Sequence, residues 1–202
     1  MIFGQLRLLR SVVPGPPVDP RRTALRAGDE RVLAEVIEEL LPKIHRWAFA
    51  QLGPRADLED ATQDALVEVS KALRRYDGRA SIATFARRVT LRVCYRYYHR
   101  RDREETSLEL VPTPADLLDP ESHAVSREAL RRLYQCLDAL PQKRRAAFVL
   151  CAVEGLTAVE AAGIAGCRPG AMRARLMTAR AELEEMLRGD AVIDVLLRGG
   201  DA

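Results

Sequence analysis

Residues 156–187, LTAVEAAGIAGCRPGAMRARLMTARAELEEML, constrain the chain most, because their punctuation reads as two helices joined by a tight turn. Thr157 followed by Glu160 has the form of a capping box. In that motif the hydroxyl accepts from an orphan backbone N–H and the carboxylate reaches back to the cap residue. Gly163 and Gly166 bracket the end of the first helix, since glycine tolerates the left-handed conformation that a sharp turn needs. Arg168, Pro169 and Gly170 open the second. Along it Met172, Leu176, Ala179, Leu183 and Leu187 recur every three or four residues and make one apolar face, while Arg173, Arg175 and Arg180 fall elsewhere on the wheel. Two helices joined tightly, the second with arginines near its start, have the geometry of a major-groove reader. An αα-hairpin with arginines on its wet face also occurs in proteins that never meet DNA, so the motif alone leaves both readings open.

Charge narrows the choice. The 202-residue chain carries a net charge of only +3, but the total hides its pattern. Lys71, Arg74, Arg75, Arg79, Arg87, Arg88, Arg92, Arg96, Arg100, Arg101 and Arg103 form a basic block interrupted only by Asp77 and Asp102. Ahead of it, Asp57, Glu59, Asp60, Asp64 and Glu68 form an acidic block free of lysine and arginine, and residues 104–121 are acidic again. Surfaces so different are expected to meet different partners.

Catalysis finds no support. There is no phosphate-binding glycine loop, and His45, His99 and His123 form no triad or metal-ligand cluster. Cys94, Cys136, Cys151 and Cys167 lack the paired spacing of a zinc site or a redox dithiol, which predicts buried reduced thiols and no cofactor. No run approaches the length of a membrane span, and the start, MIFGQLRLLRSVV, places Arg7 and Arg10 inside its apolar stretch without a convincing cleavage site. A cytoplasmic protein without membrane insertion is expected.

Periodicity predicts an all-α protein of two small helical bundles joined by a flexible linker. Residues 1–22, with VVPGPPVDP, read as a flexible proline-rich tail. A helix is expected from Asp29 to Gln51 with a kink or break at Pro42, a second from Leu58 to Arg75 stopped by Tyr76, Asp77 and Gly78, and a third from Ser81 to Arg101. Trp47 and Phe85 fall at core spacings. Residues 104–122 have the prolines and acids of a linker. Beyond it a helix is expected from His123 to Leu140, then another from Gln142 to Val153 opened by Pro141 in its first turn. The predicted units are therefore residues 23–103 and 123–198, the second containing the helix-turn-helix.

In this order the segments carry a family resemblance. An acidic helix, DLEDATQDAL, is followed by the turn YDGR and by the basic aromatic helix SIATFARRVTLRVCYRYYHRR. After the linker come the proline-started LPQKRRAAFVLCAVEGLT and the helix-turn-helix. The set resembles the extracytoplasmic-function sigma factors of bacterial RNA polymerase over roughly residues 29 to 188. The resemblance implies a non-enzymatic promoter-recognition subunit. Its first unit, region 2, would bind core polymerase and melt the promoter, its second, region 4, would read the upstream promoter element, and an anti-sigma factor would be a further partner.

Residue roles follow from the same resemblance. Asp57, Asp60, Gln63 and Asp64 become the candidate polymerase contact. Arg87, Arg88, Arg92, Tyr95, Arg96 and Tyr98 become candidates for holding melted DNA, where cations neutralise phosphate and rings stack on unpaired bases. Thr157, Arg168, Met172, Arg173, Arg175 and Arg180 become candidates for duplex contact. The family commonly shows asparagine and aspartate where this chain carries Arg92 and Arg96, and tryptophan where it carries Phe85, so melting or base selectivity is expected to differ. Two other functions fit the residues: a stand-alone dimeric helix-turn-helix regulator, and a helical adaptor that binds proteins only.

Overall fold

Asp29 starts the first long helix by accepting from the backbone N–H groups of Arg31 and Val32, which satisfies two of the donors a helix start leaves open. The computed structural model describes residues 19–98 and 120–190; most of the proline-rich tail and nearly all of the linker lie outside them. Within them the elements are α1 (Arg22–Ala27), α2 (Glu30–Leu52), α3 (Leu58–Leu73), α4 (Ile82–Tyr98), α5 (Pro120–Ala139), α6 (Gln142–Phe148), a π-helical turn (Val149–Val153), α7 (Ala158–Ala165) and α8 (Pro169–Leu187). No strand occurs among the described residues. The all-α expectation holds.

The first three long helices pack against one another around a single apolar cluster. Val36, Leu40, Ile44, Trp47 and Ala48 of α2 meet Leu58, Ala61, Ala65, Val69 and Leu73 of α3 and Ala86, Val89, Val93 and Tyr97 of α4. Each set recurs at helical spacing, so one face of each helix leaves water. Pro42 does not break α2 as expected. It is exposed and lies inside a continuous helix, because the missing N–H and the ring clash are offset by buried residues that anchor the helix on both sides of it. The short helix α1, not foreseen, closes one end of the cluster through Leu25.

The C-terminal cluster is built from α5 to α8. Leu150 and Met172 pack with Ala146, Ala147, Ala161 and Ala162 in one core, and Tyr134, Leu137, Val149 and Leu183 in a neighbouring one. The capping box at α7 is complete: Thr157 Oγ1 accepts from the Glu160 N–H, and the Glu160 carboxylate accepts from the Thr157 N–H at 2.9 Å. The Thr157 hydrogen bonds hold the Glu160 carboxyl below its usual range. The box is therefore intact at neutral pH and weakens as pH falls through that titration. Thr157→Ala is expected to lower stability by about 1 kcal/mol, read as a shift in the urea midpoint, and an unchanged midpoint would contradict this account of the motif.

Several boundaries differ from expectation. Gly166, at φ 66°, ends α7, whereas Gly163 is an ordinary residue inside it. Pro141 occupies the N-cap of α6, one residue before its first turn. The segment expected to run as one helix to Val153 changes to a π-helical turn at Val149. Of the four free cysteines only Cys94 is buried, where burial pushes its thiol up to about 12; Cys136, Cys151 and Cys167 are half-buried. The cytoplasmic assignment is corrected to a narrower statement: among the described residues no helix is long and apolar enough to cross a membrane, which names no compartment.

Candidate nucleic-acid and polymerase interface

The candidate residues sort by helix face. On α3, Asp60 and Gln63 are exposed, because they fall opposite the stripe Leu58, Ala61, Ala65 that enters the core. The other two carboxylates of that set have partners within the cluster. Asp57 accepts from the buried Arg55 guanidinium through Nε at 2.9 Å and Nη2 at 2.8 Å. Asp64 accepts from the Tyr97 hydroxyl at 2.9 Å and lies 3.9 Å from Arg96. Asp60 and Gln63 are thus open to a partner, whereas Asp57 and Asp64 also brace the fold.

On α4, three faces can be separated. Ala86, Val89, Val93, Cys94 and Tyr97 enter the core. Phe85, Val89, Arg92, Val93 and Arg96 line a groove of about 720 Å³ against Glu68, Lys71, Ala72, Arg74 and Arg75 of the end of α3 and the turn after it. Phe85 is held there by Tyr76, their rings meeting edge to face at 5.4 Å. Arg92 and Arg96 are exposed, so the groove gathers five cations against one carboxylate.

The third face of α4 turns toward the C-terminal cluster. Arg87 is only 14% exposed; it pairs with Glu154 and lies over the Trp47 ring at 5.5 Å. Desolvation lowers its pKa. The Arg88 guanidinium reaches within 3.8 Å of where a Cβ on Gly163 of α7 would stand. Tyr95 packs against the core of α6 to α8, and its carbonyl accepts from Gln142 Nε2 at 3.1 Å. The Tyr98 hydroxyl donates to Gln51 Oε1 at 2.7 Å, and its ring lies 4.5 Å beneath the Arg145 guanidinium. The basic aromatic helix therefore presents Arg92 and Arg96 on one side, and on the other presses Arg87, Arg88, Tyr95 and Tyr98 against the second cluster.

Within the helix-turn-helix, Thr157, Arg168, Arg173 and Arg180 are exposed and Arg175 is half-buried. Met172 is corrected: at 0% exposure its side chain belongs to the core of the motif and has no surface to offer DNA. Its spacing with Leu176 and Ala179 already placed it on the apolar face. Met172→Ala should cost about 2–5 kcal/mol, as truncation of a filled core site does; a loss below ~1 kcal/mol in chemical denaturation would contradict that placement.

Arg145 stands out in the structure and not in the sequence. It is 2% exposed, pairs with Asp138, and donates from Nε and Nη2 to the Gln51 carbonyl at 2.9 and 2.6 Å and from Nη2 to the Leu52 carbonyl at 3.2 Å. Burial lowers its pKa. In the sequence it sits in KRR, and only its position on the apolar side of α6, next to Ala146 and Ala147, could have signalled burial. No group of three or more His, Cys, Asp or Glu side chains able to hold a metal ion occurs among the described residues.

The chain is similar to sigma factors in both of its clusters. The model for Sigma-70 region 2 matches residues 36–104, and that for Sigma-70 region 4 matches residues 130–183. The ECF RNA polymerase sigma factor SigD of Mycobacterium tuberculosis is 31% identical over 156 residues, spanning 73% of this chain and 73% of that protein. SigE of Mycolicibacterium smegmatis, also an ECF RNA polymerase sigma factor, is 28% identical over 182 residues, 85% of this chain and 70% of its own length. Among solved structures, CnrH in complex with the cytosolic domain of CnrY superposes with a TM-score of 0.59 at 23% identity, over 84% of this chain and 96% of that one. RpoE of Bartonella quintana, solved with the anti-sigma factor NepR, gives 0.56 at 22% identity, over 76% and 96%; these two likenesses speak for the fold. The two sigma-70 regions in order, with a relative of the extracytoplasmic-function type 31% identical over 73% of each chain, place the chain among the extracytoplasmic-function sigma factors.

Proposed function

We propose that this sigma factor holds core RNA polymerase with the Asp60 and Gln63 face of α3, takes melted promoter DNA into the groove between α3 and α4, and reads the upstream promoter element with α8. Residues 23–103 and 123–198 act as the two working units, joined by residues 104–122. Family membership sets aside the stand-alone regulator and the adaptor. The observation that carries the division of labour is the groove, where Lys71, Arg74, Arg75, Arg92 and Arg96 surround Phe85. Cations beside a ring suit single-stranded DNA, because the phosphates are neutralised while an unstacked base finds an apolar plane. Arg92 and Arg96 thus take positions where the family commonly has polar and acidic residues. An anti-sigma factor, such as the one bound to RpoE in its solved complex, is proposed as a partner here too.

The groove is testable by salt dependence. Each phosphate contact on a single strand contributes about 0.7 to the slope of log affinity against log salt. Arg92→Ala combined with Arg96→Ala should lower that slope by about 1.4 for holoenzyme on a pre-melted promoter. The same protein should retain binding to the upstream duplex. An unchanged slope would place melted DNA elsewhere.

A further inference from the structure

We propose that the groove between α3 and α4 selects guanine at one unpaired position of melted DNA, with the base lying on Phe85 and the Arg75 guanidinium forked onto its O6 and N7. The proposal rests on the reading of that groove as the site for melted DNA. A ring alone does not choose among bases, because every base has a face to stack. The choice must come from the hydrogen-bonding groups around the ring.

Those groups are almost all of one kind. Glu68, Lys71, Arg74, Arg75, Arg92 and Arg96 supply every polar side chain that lines the groove, and none of the lining residues carries a hydroxyl, an amide or an imidazole. Guanidinium and ammonium groups donate and never accept. The one carboxylate is occupied, since Lys71 Nζ donates to Glu68 Oε1 at 3.3 Å. A base that enters must therefore offer acceptors. Guanine presents O6 and N7 side by side, the pair that matches the arginine fork, whereas adenine and cytosine bring an amino group against donors and thymine offers a single carbonyl beside a methyl group. A donor left facing donors forfeits its hydrogen bond.

Position singles out Arg75 from the other arginines. Arg74 is drawn to Glu30, to which its Nη2 donates at 2.6 Å, and Arg96 lies 3.9 Å from Asp64. Arg75 is exposed, and among the described residues no carboxylate pairs with it. It stands next to Tyr76, which is 1% exposed and fixes the ring: the two aromatic planes meet edge to face at 5.4 Å, and the Tyr76 hydroxyl donates to the Ala80 carbonyl. The backbone N–H groups of Arg75 and Tyr76 donate to the carbonyls of Ala72 and Leu73 at 2.9 and 3.0 Å, so the turn that carries the fork is tied to the end of α3. One buried tyrosine thus fixes the stacking plane beside the residue that reads. Arg92 and Arg96, one turn apart on α4, remain for the neighbouring phosphates.

The test uses holoenzyme, formed from the full chain and core polymerase, on a duplex with a central unpaired stretch of random sequence in one strand. Bound molecules are sequenced from two pools, one with ordinary guanine and one with 7-deazaguanine, in which carbon replaces N7. The parent should enrich guanine about tenfold at one unpaired position, as a fork onto a base edge does, equivalent to ~1.4 kcal/mol. In the 7-deaza pool the enrichment should drop severalfold. Arg75→Lys keeps the charge and loses the fork, so it should lose the guanine preference while binding with the parent's salt slope. Arg92→Lys should keep both. The comparison of pools needs no variant, so it decides even where Arg75→Lys loses its helical circular dichroism. Absence of a guanine preference, an equal preference in the two pools, or a preference that survives Arg75→Lys in a folded protein overturns the inference. An unchanged salt slope for the Arg92→Ala, Arg96→Ala protein overturns the groove reading on which it rests, whereas a lowered slope without a guanine preference overturns the inference alone.

Discussion

Asp60→Lys combined with Gln63→Lys is expected to lower the affinity for core RNA polymerase at least thirtyfold, a loss of about 2 kcal/mol or more, with an unfolding midpoint close to the parent's. Both side chains are exposed on α3 opposite its buried stripe. Exposed groups of this kind contribute little to stability, whereas like charges forced together across an interface cost several kcal/mol. Asp64 is a poorer choice for the experiment, because it accepts from Tyr97 and its loss would disturb α4 as well. Retention of core polymerase by the folded double variant, in a pull-down at physiological salt, would remove α3 from the interface.

Arg173 and Arg175 should fail in different ways when replaced by alanine. A base-reading arginine contributes ~1–3 kcal/mol of discrimination, while a phosphate-binding one weakens all sequences together and lowers the salt slope by about one. Arg173 is exposed, and Arg175 is half-buried. Selection of holoenzyme on a randomised upstream element should give a changed preference for one variant and a uniform loss for the other. Two variants that select and bind as the parent does would mean that α8 is not the reader.

What was legible in the sequence was whatever repeats locally. The stripe Val36, Leu40, Ile44 announces α2, and Thr157 with Glu160 announces the start of α7, because caps and periodicity act within a few residues. The break allowed for at Pro42 does not occur for the same reason: its local penalty is real, and tertiary packing on both sides overrides it. Arg87, Arg88, Tyr95 and Tyr98 could not be separated from Arg92 and Arg96 by spacing alone, since none of the six is on the stripe Ala86, Val89, Val93 and Tyr97. Which wet face meets the second cluster depends on residues some fifty to ninety positions away, and Arg145 with the Gln51 carbonyl shows the distance involved, a separation of 94 residues. For a charged residue in KRR, a place on the apolar side of α6 hints at burial, but its partners are unknown until the helix it caps is known.

Transcription from a library of genomic fragments, with purified core RNA polymerase in the presence and absence of this protein, asks directly whether the protein directs initiation. Discrete new start sites should appear only with the protein, share an upstream element and a downstream element, and vanish with the Asp60→Lys, Gln63→Lys variant. An identical transcript pattern with and without the protein, under conditions where it remains folded, would contradict that role.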